Sequence, residues 1–243
     1  MASVATLAFE VVQGPQFYRV EPELANLPLR SPMIGLTRFG AAVGRLVARP
    51  EVAGSAELPT ETAWLAAPED VRRSIEDLVT ARSALARCRQ LTERHDLPMD
   101  FCHSFLALDH AQLTFFFTAP GRVDFRGLLR DLVHEFHTPI RLEQVGERDV
   151  ARLLGGMGRC GRVVCCQAWM SGFEPVSMKH AKAQDLAPVP GQLGGLCGKL
   201  RCCLRFELEC EHAAHRRCGL GQTPVKTAAW RWYEDEAGPL DPD

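Results

Sequence analysis

Residues 101–145, FCHSFLALDHAQLTFFFTAPGRVDFRGLLRDLVHEFHTPIRLEQV, decide the fold class. Two runs of β-favouring residues, 101–108 and 112–118, flank Asp109-His110, so the segment predicts a β-hairpin that Pro120-Gly121 terminates. Asp124 can cap a helix whose apolar positions, Phe125, Leu128, Leu129, Leu132, Val133 and Phe136, recur at the spacing of one helical face, and Thr138-Pro139 stops it. Residues 140–145 alternate as a strand, and 147–154 predict a short second helix. The order ββαβα predicts an α+β fold in which a helix packs on a mostly antiparallel sheet. Phe115, Phe116 and Phe117 are consecutive on one strand, so at least one points to each face. They are expected in the core, because the aromatic signature of an RNA-binding sheet is absent. His134 and His137 lie a helical turn apart without an acidic or cysteine partner nearby, and are expected at the surface.

Downstream the chain repeats a phrase. Cys160-Gly-Arg-Val-Val-Cys165-Cys166 and Cys197-Gly-Lys-Leu-Arg-Cys202-Cys203 share the pattern C-G-basic-apolar-x-C-C, each after a Gly-Gly, and hold six of the ten cysteines. Clustered cysteines at short regular spacing point to metal ligation or redox chemistry in a reducing compartment. A thiolate is stabilised by neighbouring Arg or Lys, and glycine lets the backbone approach a metal; Gly161 with Arg162 and Gly198 with Lys199 supply both. Adjacent side chains diverge in a helix and alternate faces in a strand. One member of each adjacent pair, with Cys160 and Cys197, therefore makes four thiolates, the complement of zinc or of an iron–sulfur cluster. The spacing C-x4-C is diagnostic of neither, and reduced thiols packed as small apolar groups remain a reading of the same residues. Cys88 and Cys102 are isolated and expected in the core; Cys210 and Cys218, near His212 and His215, are weaker metal candidates.

Between residues 152 and 205 eight basic side chains face only Glu174 and Asp185, so the module is a basic island in a chain of net charge -2. Arg159, Arg162, Lys179, Lys182, Lys199 and Arg201 are the candidate contacts to nucleic acid or to a partner. Upstream, Pro68-Glu-Asp opens an amphipathic helix with Val71, Ile75, Leu78, Val79, Leu85 and Leu91 on its apolar stripe, ending before Pro98. Residues 51–60 read as a linker. Before it, candidate strands at 6–12, 17–20, 33–39 and 42–48 suggest a small barrel-like or meander unit. The expected organisation is thus an N-terminal β unit with linker (1–60), a connecting helix (61–98), the ββαβα layer (99–154), the cysteine module (155–206) and a polar, partly disordered tail (207–243). A composition of 46% hydrophobic and 24% charged residues is that of a globular protein, and no leader or membrane-length apolar run is present, so a cytoplasmic chain without membrane insertion is expected. No phosphate loop, nucleophile elbow or paired carboxylates argue for an enzyme.

The run from GRVDFRGLLRDLVHEFHTPIRLEQV through GGMGRCGRVVCC, followed by FEPVSMKHAKAQDL and GGLCGKLRCCLRFE, resembles the bacterial YaaT/RicT proteins, which carry a polymerase-suppressor-type C-terminal domain. The resemblance is dense from about residue 99 to 207 and fainter over the N-terminal strands; after Glu207 the chain departs from the family pattern. It implies a non-enzymatic regulatory subunit that carries an iron–sulfur cluster of the 4Fe–4S type and associates with RicA/RicF-like helical partners. It further implies action with RNase Y in messenger RNA maturation. Cys160, Cys165, Cys166, Cys197, Cys202 and Cys203 stand where the family's cysteine motif lies. Alternatives from the residues themselves are structural zinc, a metal-free thiol redox sensor, and a single-stranded DNA- or RNA-binding protein using the basic module.

Overall fold

In the computed structural model, residues 3–12, 16–52, 59–168, 170 and 172–206 are described. They fall into two compact units that meet between Gly146 and Glu147, and the expected tail at 207–243, with Cys210 and Cys218, lies outside the described residues. The chain is α+β, as the alternation of periods predicts.

The first unit opens with β1 (Ser3–Ala8), β2 (Gln16–Val20), β3 (Pro32–Thr37), β4 (Gly40–Val52) and β5 (Ala63–Leu65), with a 3-10 turn at Pro22–Asn26. Their order in the sheet is β2-β1-β4-β3-β5. Two hairpins, β1–β2 and β3–β4, are joined by pairing β1 to β4, so the sheet is not a meander. A bridge from Arg19 in β2 to Thr62, with Arg19 N–H donating to the Glu61 carbonyl at 2.8 Å, ties the two edges together and gives the unit its barrel character. Register shifts in the β1–β4 pairing bend the long strand toward that closure. Ala5, Leu7, Phe9, Tyr18, Val20, Met33 and Leu46 fill the interior, where the Tyr18 hydroxyl donates to the Leu36 carbonyl. Gly35 and Gly44 leave room for the rings, since a Cβ at either would stand within 2.8 Å of Phe9.

The long helix α1 (Pro68–Arg94) leads to β6 (Asp100–Leu106), β7 (Leu113–Thr118), α2 (Arg126–Phe136) and β8 (Ile140–Gln144). The hairpin β6–β7 is antiparallel as expected, but β8 pairs with β7 in parallel, because α2 provides the crossover such pairing requires. Leu128 and Leu132 of α2, with Ala84, Cys88 and Leu91 of α1, pack on Phe101, Leu113, Phe115 and Phe117. Phe116 points to the opposite face, where its ring meets Phe39 edge-on at 5.1 Å. All three phenylalanines are at most 2% exposed, which removes them as a base-stacking platform. His134 and His137 are exposed, and His137 ends α2 in the left-handed conformation at φ 52.

The buried stripe of α1 differs from the one its large apolar residues suggest. Ile75 and Val79 are exposed, while Asp77, Ala81, Ala84, Cys88 and Leu91 face inward. The sheet already supplies bulky rings, so only small side chains let the helix approach closely, and Ser104 of β6 donates to the Ala81 carbonyl at 2.7 Å.

Candidate metal centre

The second unit carries α3 (Glu147–Leu154), α4 (Cys165–Ala168), α5 (Met178–Lys182) and α6 (Pro190–Leu193). Its sequence repeat is also a backbone repeat, residue n of the first copy corresponding to n + 37 in the second, as Cys160 does to Cys197. Gly158 N–H donates to Arg162 at 2.7 Å, Gly161 to Gly158 at 3.0 Å and Val164 to Gly156 at 3.1 Å; Gly195 donates to Lys199 at 2.8 Å, Gly198 to Gly195 at 3.0 Å and Arg201 to Leu193 at 2.9 Å. Met157 bridges Val163 and Gly194 bridges Leu200 in the same positions. Each copy is a tight hairpin with its first cysteine at the tip, followed by a glycine at φ 75 (Gly161) or φ 73 (Gly198), a left-handed conformation that L side chains resist. The chain then turns into helix, at α4 in the first copy and at 203–206 in the second.

The segment between the copies supports the second hairpin. Ala181 of α5, Leu193 and Leu204 form a small buried core, joined by Val176, Leu186 and Leu200. The His180 ring nitrogen Nδ1 accepts the Ser177 N–H at 3.1 Å, fixing the start of α5. Arg205 ion-pairs with Glu174 and donates to the Pro175 carbonyl, and Gln184 donates to the Leu204 carbonyl. The phrase FEPVSMKHAKAQDL thus works as a clamp on the second cysteine helix.

The folding of the two copies brings thiols from both together. Burial pushes the Cys166 thiol up to about 11, and the proximity of Cys202, then of Cys197 and Cys165, adds to the rise. Cys202 is also raised, first by burial and further by Cys197, while the guanidinium of Arg148 acts in the opposite sense. Cys166, Cys197 and Cys202 therefore feel one another's charge, with Cys165 beside them. The pairing is not symmetric, since Cys166 corresponds to Cys203 and Cys202 to Cys165. Cys160 is exposed at the first tip, and Cys203 is half-buried in the second helical turn. Four soft sulfur donors suit zinc or an iron–sulfur cluster in kind, although among the described residues no three His, Cys, Asp or Glu side chains stand in a ligating arrangement. A cation among the thiols would oppose the burial and the mutual repulsion that raise Cys166 and Cys202.

The basic candidates divide. Lys199 pairs with Glu147 at 3.1 Å, and Arg159 donates to the Gly191 carbonyl, so both serve the hairpins. Arg162, Lys179 and Lys182 are exposed, while Arg201 is half-buried and its backbone holds the second hairpin. Two arginines that the motif reading did not single out as site residues lie on the helix that leads into the first hairpin. Arg148 and Arg152 are four apart on α3; Arg152 is buried, and Arg148 donates to the Leu200 carbonyl at 3.1 Å with its guanidinium 5.8 Å from the Phe173 ring centre. Their i, i+4 spacing just before the first Gly-Gly was the available signal.

With this geometry in hand, comparison places the chain. Residues 62–145 match the family model described as the PSP1 C-terminal conserved region, and residues 175–218 match the PSP1-like protein, third domain. A curated relative, Stage 0 sporulation protein YaaT of Bacillus subtilis (strain 168), is 46% identical over 132 residues, which are 54% of this chain and 48% of that protein. The chain belongs to the YaaT/RicT family. It spans about half the length of that curated relative. The PSP1 C-terminal match reaches back over α1, and the third-domain match runs on to residue 218, past the point at which the family pattern was expected to end. The second cysteine copy lies inside the matched third domain, and the first copy lies between the two matched regions. No solved structure matches. Among the described residues no helix is long and apolar enough to cross a membrane.

Proposed function

We propose that this chain is a non-enzymatic regulatory adaptor of the cytoplasm whose paired cysteine hairpins bind a 4Fe–4S cluster, and which modulates RNA processing with RNase Y and RicA/RicF-like helical partners. Membership of the YaaT family supports the regulatory role. The observation that carries the metal reading is the convergence of Cys166 from one copy with Cys197 and Cys202 from the other, three thiols from a repeated hairpin within one another's electrostatic reach. Cys166, Cys197 and Cys202, with Cys165 alongside, would hold the group. When bound, it would supply a cross-link between the copies that is sensitive to oxidation. The chain's own residues prepare for it: the hairpins fix the cysteine backbones, the 173–193 clamp orients the second helix, and Arg148 offsets negative charge at Cys202.

Anaerobic purification with iron, sulfide and zinc quantification tests this on wild type and on Cys166→Ala, Cys202→Ala and Cys160→Ala. Stoichiometric iron and sulfide are expected in wild type and in Cys160→Ala, and are lost in the other two. Zinc instead of iron would make the module structural, and no metal in wild type would overturn the reading. The second reading, binding of single-stranded RNA or DNA, is favoured by the exposure of Arg162, Lys179 and Lys182. Salt-dependent binding lost on Lys179→Ala/Lys182→Ala would support it.

A further inference from the structure

We propose that Arg148 is the positioning residue of the cysteine centre, holding the two copies in register and keeping one N–H donor for a sulfur of the filled site. The inference rests on the metal reading above. Arg148 sits in the first turn of α3, the helix that runs into the first hairpin, yet its Nη2 donates to Leu200 of the second hairpin at 3.1 Å. Leu200 is the residue bridged to Gly194 and lies two before Cys202, so the bond fixes the second copy where its helical turn begins. The guanidinium also lies 5.8 Å from the Phe173 ring centre, at the start of the clamp. One side chain thus touches the first copy's helix, the clamp and the second hairpin.

Its Nε is buried and has no hydrogen-bond partner among the described residues. A buried guanidinium N–H left unpaired costs free energy, and such donors are retained where a ligand satisfies them. The guanidinium is held at Leu200, two residues before Cys202, so the acceptor assigned to this N–H is a sulfur of the centre. Thiolate or bridging sulfur accepts an N–H bond, and a planar fork can hold a carbonyl with one arm and sulfur with another, which an ammonium cannot do in one geometry. Outer-shell donors of this type change metal affinity by about 10–100-fold when removed.

The test uses cobalt(II) as a spectroscopic probe of thiolate sites, with the whole 243-residue chain under anaerobic conditions and chelator competition for affinity. Wild type is compared with Arg148→Met and Arg148→Lys, and the melting curve of each metal-free protein is recorded. Arg148→Met should bind cobalt at least tenfold more weakly with altered thiolate-to-metal absorption, and Arg148→Lys should recover only part of the affinity. If Arg148→Met melts like wild type and binds cobalt within about twofold of it, the inference fails. Full recovery by Arg148→Lys would replace it with a simple charge effect, and would overturn the hydrogen-bond role. Affinity loss that tracks only a lowered melting temperature in both variants would likewise overturn it in favour of a packing role. Wild type that takes up no cobalt defeats the metal reading itself, and this inference with it, whereas wild type that binds while Arg148→Met binds equally defeats this one alone.

Discussion

The two hairpins offer a matched experiment, because each has one glycine in the left-handed conformation and one outside it at equivalent places, and the same substitutions can be made in both. Gly161 and Gly198 sit at φ 75 and 73, and a Cβ at either would meet nothing within 4 Å, so replacing them by alanine introduces backbone strain without collision. The left-handed conformation costs an alanine about 1–2 kcal/mol, and the stiffer unfolded chain returns about 0.4–1 kcal/mol. A net loss of about 1 kcal/mol is therefore expected for each. Gly158 and Gly195 are not left-handed, and a Cβ there would lie 3.5 Å from its nearest neighbour in both copies, an ordinary contact. Their alanine variants should be neutral or slightly stabilising, through the unfolded-chain effect alone. Native-state amide exchange of the Gly158 and Gly195 N–H groups, which close the two hairpins at 2.7 and 2.8 Å, reads each site locally. Loss of about 1 kcal/mol corresponds to about fivefold faster exchange in Gly161→Ala and Gly198→Ala. The reasoning is refuted if Gly198→Ala exchanges as slowly as Gly195→Ala, or if the two tip variants differ from each other by more than about tenfold.

Other consequences are tested more simply. Leu128→Ala removes a fully buried side chain between α2 and the sheet and should cost about 2–5 kcal/mol in urea unfolding; a loss below about 1 kcal/mol would contradict its place in the core. Gly40→Ala should be worse than either tip variant, since its Cβ would stand 2.6 Å from that of Ala107 at φ 108, and expression or melting temperature reports it. Burial pushes the Cys88 thiol up to about 12 from 9.0, so the unfolded state loses its proton first as pH rises. The contribution of that site is intact below about pH 9 and declines as pH climbs toward 12, and melting temperatures from pH 8 to 11 should fall less steeply in Cys88→Ala than in wild type. In native metal-free protein at pH 8, iodoacetamide should modify exposed Cys160 well before buried Cys88 and Cys102, both of which have raised pKa values; early labelling of Cys88 would contradict the packing of α1.

Much of the first unit was legible as local pattern. The turn at Asp109-His110, the i, i+3, i+4 run from Phe125 to Phe136 and the Thr138-Pro139 stop each act within a few residues, and they placed β6, β7 and α2 almost where they lie. The three-residue β5 had too little sequence to carry an alternation, and the 3-10 turn at Pro22–Asn26 was equally silent. The buried face of α1 was misread because hydrophobicity alone favours Ile75 and Val79, whereas the neighbouring sheet selects for small side chains at Ala81, Ala84 and Cys88. Parallel pairing of β8 was invisible for a related reason, since a strand's own residues do not state its neighbour's direction.

For the cysteine module, sequence alone determined the repeat, the glycine that follows its first cysteine and the soft character of the donors, because spacing and thiol chemistry are properties of residues close in the chain; that this glycine turns a hairpin tip at positive φ came only with the backbone. The tertiary structure decided which thiols meet: Cys166 approaches Cys202 and Cys197 while Cys160 stays at the surface, a selection that breaks the repeat's symmetry. It also brought Arg148 to Leu200, 52 residues away, without any motif to announce it. Side-chain direction and long-range approach follow from how helices and hairpins pack, and packing is settled by the whole set of buried surfaces rather than by any one stretch of the chain.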